Sequence, residues 1–246
     1  MQDEFQSTQT RSVALDDSYS YIEEADRRAR KATESKAEVV EGFQYRVLKR
    51  IFDVFLVLAS IPILLPFVAL IAALVVMSSP GPVFYSHRRI RKNGSFFSMW
   101  KFRTMCVNSA EVLEEHLANH PEARREWSHT HKLKKDPRVT AVGQLLRRYS
   151  IDELPQVWNV LRGQMTLVGP RPIVAAEVEK YGDGFRYYCL VKPGLTGLWQ
   201  VSGRSELTYP QRVALDCAYV ERWSMRHDLW ILLRTFASVA NKDGAY

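Results

Sequence analysis

The sequence predicts an α-rich α/β fold in which a membrane-embedded helix precedes a small domain. Three observations indicate this class. Residues 54–77 form a run of 24 side chains without a charge, and at 1.5 Å per residue such a run can cross a bilayer. A strand–turn–strand pattern surrounds Lys92-Asn93-Gly94, which predicts a β-hairpin. Helical periodicity dominates the segments that follow it.

Charge is distributed unevenly along the 246 residues. Residues 1–47 carry ten acidic and seven basic side chains, so the overall charge of +7 arises from the rest of the chain. A basic folded part predicts an anionic partner, namely a phospholipid surface, a nucleotide or a nucleic acid. The three cysteines share no metal-like spacing, which predicts reduced thiols in the cytosol rather than a disulfide framework.

Three segments are expected along the chain. Residues 1–41 are polar and mixed in charge, and we expect them to be disordered or loosely helical because they bury too little apolar surface to offset their ordering entropy. Residues 42–79 are expected to form the membrane-embedded helix. Residues 80–246 are expected to form the domain in the cytosol.

The apolar run contains Pro62 and Pro66, and each proline removes a helical hydrogen bond and bends the helix. Both flanks are basic, and positive residues favour the cytoplasmic side. A re-entrant helix that bends at the prolines and returns would keep both flanks there; a single-span anchor is the alternative, and a buried core helix is a third. Asp53, close to Lys49 and Arg50, is expected at headgroup depth as a paired charge.

Cations also follow the hairpin. Lys101 and Arg103 would lie on one side of an extended segment, as a solvated strand face or as a phosphate-binding edge. Further on, Lys192 and Arg204 bracket a segment with three glycines, which is a weak phosphate signal without a known nucleotide-binding fingerprint. The apolar segment 229–239 predicts a helix that rests either at the membrane interface or in the core.

The central stretch of the chain places two adjacent carboxylates between cations. Asp152 and Glu153 lie between Arg147 and Arg171. A carboxylate can attack phosphorus or hold a divalent metal, and guanidinium groups match phosphate oxygens. Alternatively, Asp152 is a helix N-cap, or Ser150 and Glu153 form a capping box. The residues by themselves leave both interpretations open.

Short motifs along the chain resemble, in order and spacing, those of the bacterial sugar transferases, or monotopic phosphoglycosyl transferases. The resemblance extends from Lys49 to about Ala240. The matching motifs are Lys49-Arg50-Ile51-Phe52-Asp53, Pro80-Gly81-Pro82-Val83-Phe84, Lys101-Phe102-Arg103-Thr104-Met105, Asp152-Glu153-Leu154-Pro155-Gln156, Val168-Gly169-Pro170-Arg171-Pro172 and Pro193-Gly194-Leu195-Thr196-Gly197.

The resemblance implies a re-entrant membrane helix and a small cytosolic α/β catalytic domain with interfacial amphipathic helices, at the bacterial inner (cytoplasmic) membrane. It implies transfer of a sugar 1-phosphate from a UDP-sugar to undecaprenyl phosphate, with release of UMP, at the start of exopolysaccharide synthesis. The stretch His87-Arg88-Arg89-Ile90 is similar to that of the short members that transfer galactose 1-phosphate. Galactose 1-phosphate is therefore the expected transferred group, and glucose 1-phosphate is the alternative.

The resemblance also implies roles for the central residues. Asp152 would be the nucleophile toward the β-phosphate, giving a covalent phosphosugar-aspartyl intermediate, with Glu153 as its partner. Mg²⁺ would bridge Asp152 and the diphosphate, and cations would screen the repulsion between the nucleophile and the substrate. The expected substrate-binding cations are Lys101, Arg103, Arg147 and Arg171.

Family members commonly carry Ser-Pro at the bend of the membrane helix, whereas this chain has Leu65-Pro66, with Ser60 and Pro62 nearby. The competing hypothesis is a basic membrane-surface protein that binds anionic lipid or nucleic acid without catalysis, and an inactive scaffold is a third. Under the enzyme hypothesis the partners are the UDP-sugar, undecaprenyl phosphate and membrane lipid. No nucleic acid is then expected, and a homo-oligomer is left open.

Overall fold

A long apolar helix, α1 (Lys49–Ser78), follows a π-helical turn at Gln44–Leu48 and leads into the rest of the fold. The computed structural model describes residues 40, 42–130, 133–203 and 206–240. Nearly all of the predicted tail 1–41 therefore lies outside the described residues. Within those residues, the helical segment Gln44–Ser78 is the one that is long and apolar enough to cross a membrane.

The predicted hairpin is present. Strands β1 (Phe84–Ile90) and β2 (Phe96–Phe102) pair antiparallel. The turn between them contains Asn93 in the left-handed conformation, with φ of 67°, and asparagine tolerates this conformation better than most residues. The hairpin thus confirms the interpretation of the Asn93-Gly94 signal.

A second, parallel pair of strands joins β3 (Thr166–Val168) to β4 (Gly194–Thr196). The two strands approach so closely that a Cβ on Gly194 would lie 2.2 Å from the backbone nitrogen of Gly169. Glycine is therefore required here for steric reasons. This pair holds the Pro-Arg-Pro segment after β3 against the loop that begins at Lys192.

Helices make up most of the remaining described structure. Short 3₁₀ turns occupy Ile151–Glu153 and Ala175–Glu177. The helices after α1 are α2 (Ser109–Asn119), α3 (Pro121–Thr130), α4 (Ala141–Arg148), α5 (Gln156–Leu161), α6 (Val178–Tyr181), α7 (Gly184–Leu190), α8 (Leu198–Val201), α9 (Tyr209–Glu221) and α10 (Met225–Ala240).

The main apolar core lies where the hairpin meets α5 and the last two helices. Phe97 and Met99 of β2, Val160 of α5, Val220 of α9 and Ile231 of α10 are all buried in it. Burial of apolar side chains is the dominant favourable term in folding. The alternation of buried and exposed residues along β2 therefore determines which face of the hairpin meets the helices.

Both ends of α1 pack on the domain, whereas its middle does not. Val57 belongs to the main core, and Ile71 and Val75 belong to a second cluster with residues of β2 and α4. Between these ends, Ile63 is 77% exposed and Leu65 is 66% exposed. An exposed apolar middle does not fit a core helix, because such a helix would bury its apolar side chains.

The helical assignment of α1 continues through Pro62 and Pro66. Each proline nevertheless removes one donor from the helical ladder. Just before Pro62, the hydroxyl of Ser60 donates to the carbonyl of Val57 at 2.7 Å.

The charges at the start of α1 are paired differently from the expectation. Lys49 forms a buried ion pair of 2.5 Å with Asp228 of α10. Asp53 accepts hydrogen bonds from the Thr166 hydroxyl at 2.5 Å and the Leu167 N–H at 3.3 Å. The expected pairing of Asp53 with its neighbours in the helix is thus corrected, because tertiary partners from β3 and α10 take both groups.

Arg50, the other cation of this turn, donates to the carbonyls of Val160 and Leu161 at the end of α5. The Val160 carbonyl also accepts from the N–H of Gly163 at 2.9 Å, and a guanidinium is a suitable further donor at a helix C-terminus. Several hydrogen bonds and one ion pair therefore hold the start of α1 against the domain.

Candidate active site

Lys101 brings the two central carboxylates together. Its Nζ donates to Asp152 Oδ2 at 3.2 Å and to Glu153 Oε1 at 2.7 Å. Lys101 lies near the end of β2, opposite Tyr85 of β1 in the register. Both carboxylates come from the 3₁₀ turn Ile151–Glu153, so residues about 50 positions apart in sequence form one charged centre.

The turn that presents the carboxylates begins with a strained residue. Ser150 follows the end of α4 and has φ of 55°, a left-handed conformation that costs about 1–3 kcal/mol for a residue other than glycine. No side chain caps this turn or the start of α5. The capping alternatives for Asp152 and Ser150 are therefore not supported, and strain of this kind is often found at functional sites.

Asn159 fixes α5 against the hairpin. Its side-chain oxygen accepts from the backbone N–H of Trp100 at 3.1 Å, and its side-chain nitrogen donates to the carbonyl of Ser98 at 2.8 Å. Asn159 is fully buried, where paired polar groups specify one arrangement. Because the carboxylates immediately precede α5, this contact sets their position relative to Lys101.

Further cations surround Glu153. Arg171 borders, with Glu153 and Gln156, a narrow cavity that β4 closes through Gly194 and Leu195. The guanidinium of Arg171 lies 5.7 Å from the ring centre of Trp199, a favourable cation–π arrangement. The structure thus brings Lys101, the two carboxylates and Arg171 together. Their roles in catalysis and substrate binding stay predictions.

Arg147 lies at the other side of the centre. Its Nε donates to the hydroxyl of Thr104 at 2.9 Å, and its charge acts to lower the pKa of Asp152. It is therefore close enough to contribute to the field at this carboxylate.

Arg103 lies elsewhere, at the C-terminal end of α1. Its guanidinium donates to the hydroxyl of Ser79 at 3.1 Å and to the carbonyl of the same residue. The pairing of β1 with β2 ends at Phe102, so the alternation that would have set Arg103 beside Lys101 does not continue. Its role in substrate binding stays a prediction.

The two carboxylates differ in acidity. Burial raises the pKa of Asp152 above its ordinary value, although Lys101 opposes this effect. Burial acts in the same direction on Glu153, but Lys101 and Arg171 outweigh it and hold its pKa below the ordinary value. Opposite shifts in neighbouring acids are typical of sites that assign different tasks to each group.

Two residues that contribute to this centre were missed in the sequence. Arg89 of β1 lies 3.7 Å from Glu177, and its charge lowers the pKa of Glu153. Gln156, which opens α5, is buried with a side-chain nitrogen that has no partner among the described residues. The arginine cluster at 88–89 was a signal for the first, and the motif Asp152-Glu153-Leu154-Pro155-Gln156 was a signal for the second.

A divalent metal suits the donors at this centre. The described residues contain no group of three histidine, cysteine or acidic side chains that could form an all-protein cage. Mg²⁺ usually binds one or two carboxylates and takes its other ligands from phosphate and water. Asp152 supplies a suitable oxygen, and Glu153 lies beside it.

Comparison with known sequences gives one family. A sequence model of the family described as "Bacterial sugar transferase" matches residues 44–242. Arg204, at the end of the glycine-containing loop, lies within this match but outside the residues that the structure describes.

Three relatives are similar over most of this chain. The undecaprenyl-phosphate galactose phosphotransferase of Salmonella typhimurium is 50% identical over 82% of this chain and 42% of its own length. The UDP-galactose-lipid carrier transferase of Erwinia amylovora is 49% identical, with the same coverage of both chains. The exopolysaccharide production protein ExoY of Rhizobium meliloti is 48% identical over 80% of this chain and 88% of its own length. The chain thus spans less than half the length of the first two.

Proposed function

Because the chain belongs to the bacterial sugar transferase family, we propose that it transfers a hexose 1-phosphate from a UDP-sugar to undecaprenyl phosphate and releases UMP. The product would start an exopolysaccharide repeat unit. The observation that carries the proposal is Lys101 held between Asp152 and Glu153 beside the cavity at Arg171.

In the first step, an oxygen of Asp152 attacks the β-phosphorus of the UDP-sugar. A bond forms between this oxygen and phosphorus, and the bond from phosphorus to the bridging oxygen breaks. UMP leaves with the bridging oxygen and its electron pair. Lys101 stabilises the negative charge that gathers as the nucleophile and the diphosphate approach each other.

In the second step, a phosphate oxygen of undecaprenyl phosphate attacks the same phosphorus. The bond to Asp152 breaks, so the carboxylate is regenerated and the lipid diphosphate sugar leaves. Glu153 is held ionised by Lys101 and Arg171, so it can accept the proton of an incoming phosphate if that phosphate is a monoanion. Two displacements at one nucleophile give ping-pong kinetics.

Mg²⁺ belongs to this proposal as the ion that Asp152 would hold together with the diphosphate. When bound, it would neutralise part of the charge on the phosphate oxygens. The chain's own cations, Lys101, Arg147 and Arg171, would bind the remaining oxygens and orient the nucleotide.

The arrangement of α1 supports a re-entrant helix. Its two ends pack on the same domain near Val57 and Val75, and the middle around Pro62 and Pro66 is exposed. A membrane would cover this apolar middle, while both basic flanks would stay on the cytosolic face. The nucleophile would then stand where the cytosol meets the lipid, within reach of both substrates. Exposed apolar side chains on α10, such as Leu233 and Phe236, would rest at the same interface.

Galactose 1-phosphate is the proposed transferred group, because two relatives that are about half identical to this chain carry galactose in their names. Glucose 1-phosphate is the alternative. A panel of UDP-sugars assayed for UMP release would decide between them, since the preferred donor should give the highest kcat/KM.

The reaction is tested with purified protein in detergent, Mg²⁺, UDP-galactose and undecaprenyl phosphate. Wild type should release UMP, and Asp152→Asn should lower the rate on the order of 10³-fold or more, as the loss of a nucleophile does. Asp183→Asn is the matched control, because its carboxylate is 95% exposed and should leave the rate unchanged.

The competing hypothesis, a lipid-binding protein without catalysis, predicts the opposite result for both measurements. The Asp152→Asn variant would then function as well as wild type, and no UDP-sugar would yield UMP. Either result with folded protein would refute the transferase.

A further inference from the structure

A second charged centre lies at the start of α1, away from the carboxylates. It surrounds a cavity of about 90 Å³, which holds roughly three water-sized groups at ~30 Å³ each and thus suits a phosphate group. The charged residues that line this basic cavity are Arg46, Lys49, Arg50, Lys92, Lys192 and Asp53.

Of the three cavity cations Lys49, Arg50 and Lys192, Lys49 is the one that pairs with an acid among the residues that the structure describes. Lys49 is neutralised by Asp228, and Asp53 already accepts two hydrogen bonds from β3. The guanidinium of Arg50 contacts neutral carbonyls, so its charge is not compensated there. A cluster of this kind is stabilised by an anion.

Lys192 is the most informative of the cations. Its ammonium makes no hydrogen bond or ion pair with the residues that the structure describes, although it is partly buried. Burial and the nearby charge of Arg50 lower the pKa of Lys192. A side chain that is both desolvated and repelled by a neighbour would gain most from a negatively charged ligand.

The position of the basic cavity indicates the source of that ligand. Asp53 lines it and is the last charged residue before the apolar run 54–77. A lipid phosphate lies at this depth when the run is in a bilayer, next to the hydrocarbon region.

The basic cavity is separate from the proposed active site. The carboxylates precede the N-terminal end of α5, whereas Arg50 contacts the carbonyls at its C-terminal end. An acceptor phosphate must reach Asp152, so the basic cavity at the far end of α5 takes a different phosphate.

We infer that this cavity is a binding site for the phosphate group of an anionic membrane phospholipid, with Lys192 and Arg50 as its main contacts. The site holds the start of α1 at a fixed depth by binding a headgroup from the surrounding bilayer. This proposal does not depend on the transfer reaction, because lipid binding rather than UMP release is the quantity that tests it.

The test uses the full chain in detergent micelles, titrated with phosphatidylglycerol or phosphatidylcholine and followed by native mass spectrometry. Phosphatidylglycerol should be retained more tightly. Lys192→Gln should weaken its binding about fivefold, the contribution of one cation near a lipid surface, and Lys192→Arg should restore it. Lys135→Gln, an exposed lysine outside the cavity, should have no effect. Arg50→Gln, at the other main contact, provides the same test if Lys192→Gln does not fold.

Inorganic phosphate distinguishes the two sources of the anion. At matched ionic strength it should displace phosphatidylglycerol better than chloride does, but with much lower affinity than the lipid. Equal binding of the two lipids, or an equal loss in Lys192→Gln and Lys135→Gln, would overturn the site. Equal affinity for inorganic phosphate and phosphatidylglycerol would overturn its assignment to lipid.

Discussion

Two lysine–aspartate pairs in this molecule have the same chemistry and opposite surroundings. Lys49 and Asp228 are 3% and 1% exposed, and Asp228 also accepts from the side chains of Tyr219 and Trp223. By contrast, Lys101 is 22% exposed and is shared between Asp152, 12% exposed, and a second carboxylate.

The difference in surroundings separates a pair that only stabilises the fold from a pair that a ligand can reach. The Lys49–Asp228 pair is closed, since the carboxylate is saturated by neighbours and no substrate can reach it. The Lys101 centre is partly exposed, and Lys101 contacts two acids at once, so an anionic substrate can compete for this lysine. Burial and saturation, rather than the residue types, distinguish the pair that a ligand can reach from the pair that it cannot.

The closed pair should show the largest effect on stability. Asp228→Ala leaves the ammonium of Lys49 buried without its partner, which should lower the free energy of unfolding by about 3–5 kcal/mol. Chemical denaturation in detergent micelles measures this change. The double variant Lys49→Met/Asp228→Leu should recover much of the loss, because paired apolar replacements are often tolerated. If the single variant lost less than the double one, the description of this pair as closed would be wrong.

The open centre should respond in activity instead. Lys101→Met should lower kcat/KM for UMP release on the order of 10²- to 10³-fold, while unfolding changes by about 1 kcal/mol or less because the pair is partly solvated. Steady-state rates and denaturation of the same preparation measure both quantities. Lys135→Met is the exposed control. A stability loss as large as that of Asp228→Ala, with activity retained by the folded fraction, would reverse the comparison.

Another buried carboxylate sharpens the contrast, because no cation contacts it among the residues that the structure describes. Asp216 accepts from the hydroxyl of Tyr181 at 2.6 Å, and its other oxygen has no partner among the described residues. Burial raises the pKa of Asp216 to about 7, although Tyr181 and Arg171 oppose the shift. The folded protein therefore binds this proton more tightly than the unfolded chain, where the pKa is about 3.9.

The sign of the pH dependence follows. The contribution of Asp216 to stability is fully present below about pH 3.9 and is lost as the pH rises through about 7. Its loss should approach 1.4 kcal/mol per pH unit between these values. The free energy of unfolding of wild type minus that of Asp216→Asn should therefore decrease as the pH is raised from 4.5 towards 7, and denaturation measured from pH 4.5 to 8 tests this. A flat difference would show that Asp216 is ionised when folded.

The sequence predicted the local features well and the pairings poorly. The Asn93-Gly94 turn and the alternation around it predicted the hairpin because both signals lie within a few residues. The pairing of Lys49 with Asp228 could not be read from the sequence, since its members are 179 positions apart. Asp53 had two cations within one helical turn, yet Thr166 and Leu167 bind it.

The same reasoning applies to the candidate site. Asp152, Glu153 and Arg171 were identified by charge pattern and resemblance, and Lys101 by its motif. The shared hydrogen bonds of Lys101 depend on how Asn159 docks α5 on β2, which no local pattern contains. Arg103 was placed by extending the strand one residue beyond its observed end at Phe102.

The central claim is that Asp152 forms a bond to phosphorus. Protein incubated with Mg²⁺ and UDP-galactose, without lipid acceptor, should gain the mass of one hexose phosphate, and peptide mapping should place it on Asp152. Added undecaprenyl phosphate should remove the adduct, and Asp152→Asn should never acquire it. An adduct on another residue, or UMP released by unmodified protein, would contradict the account.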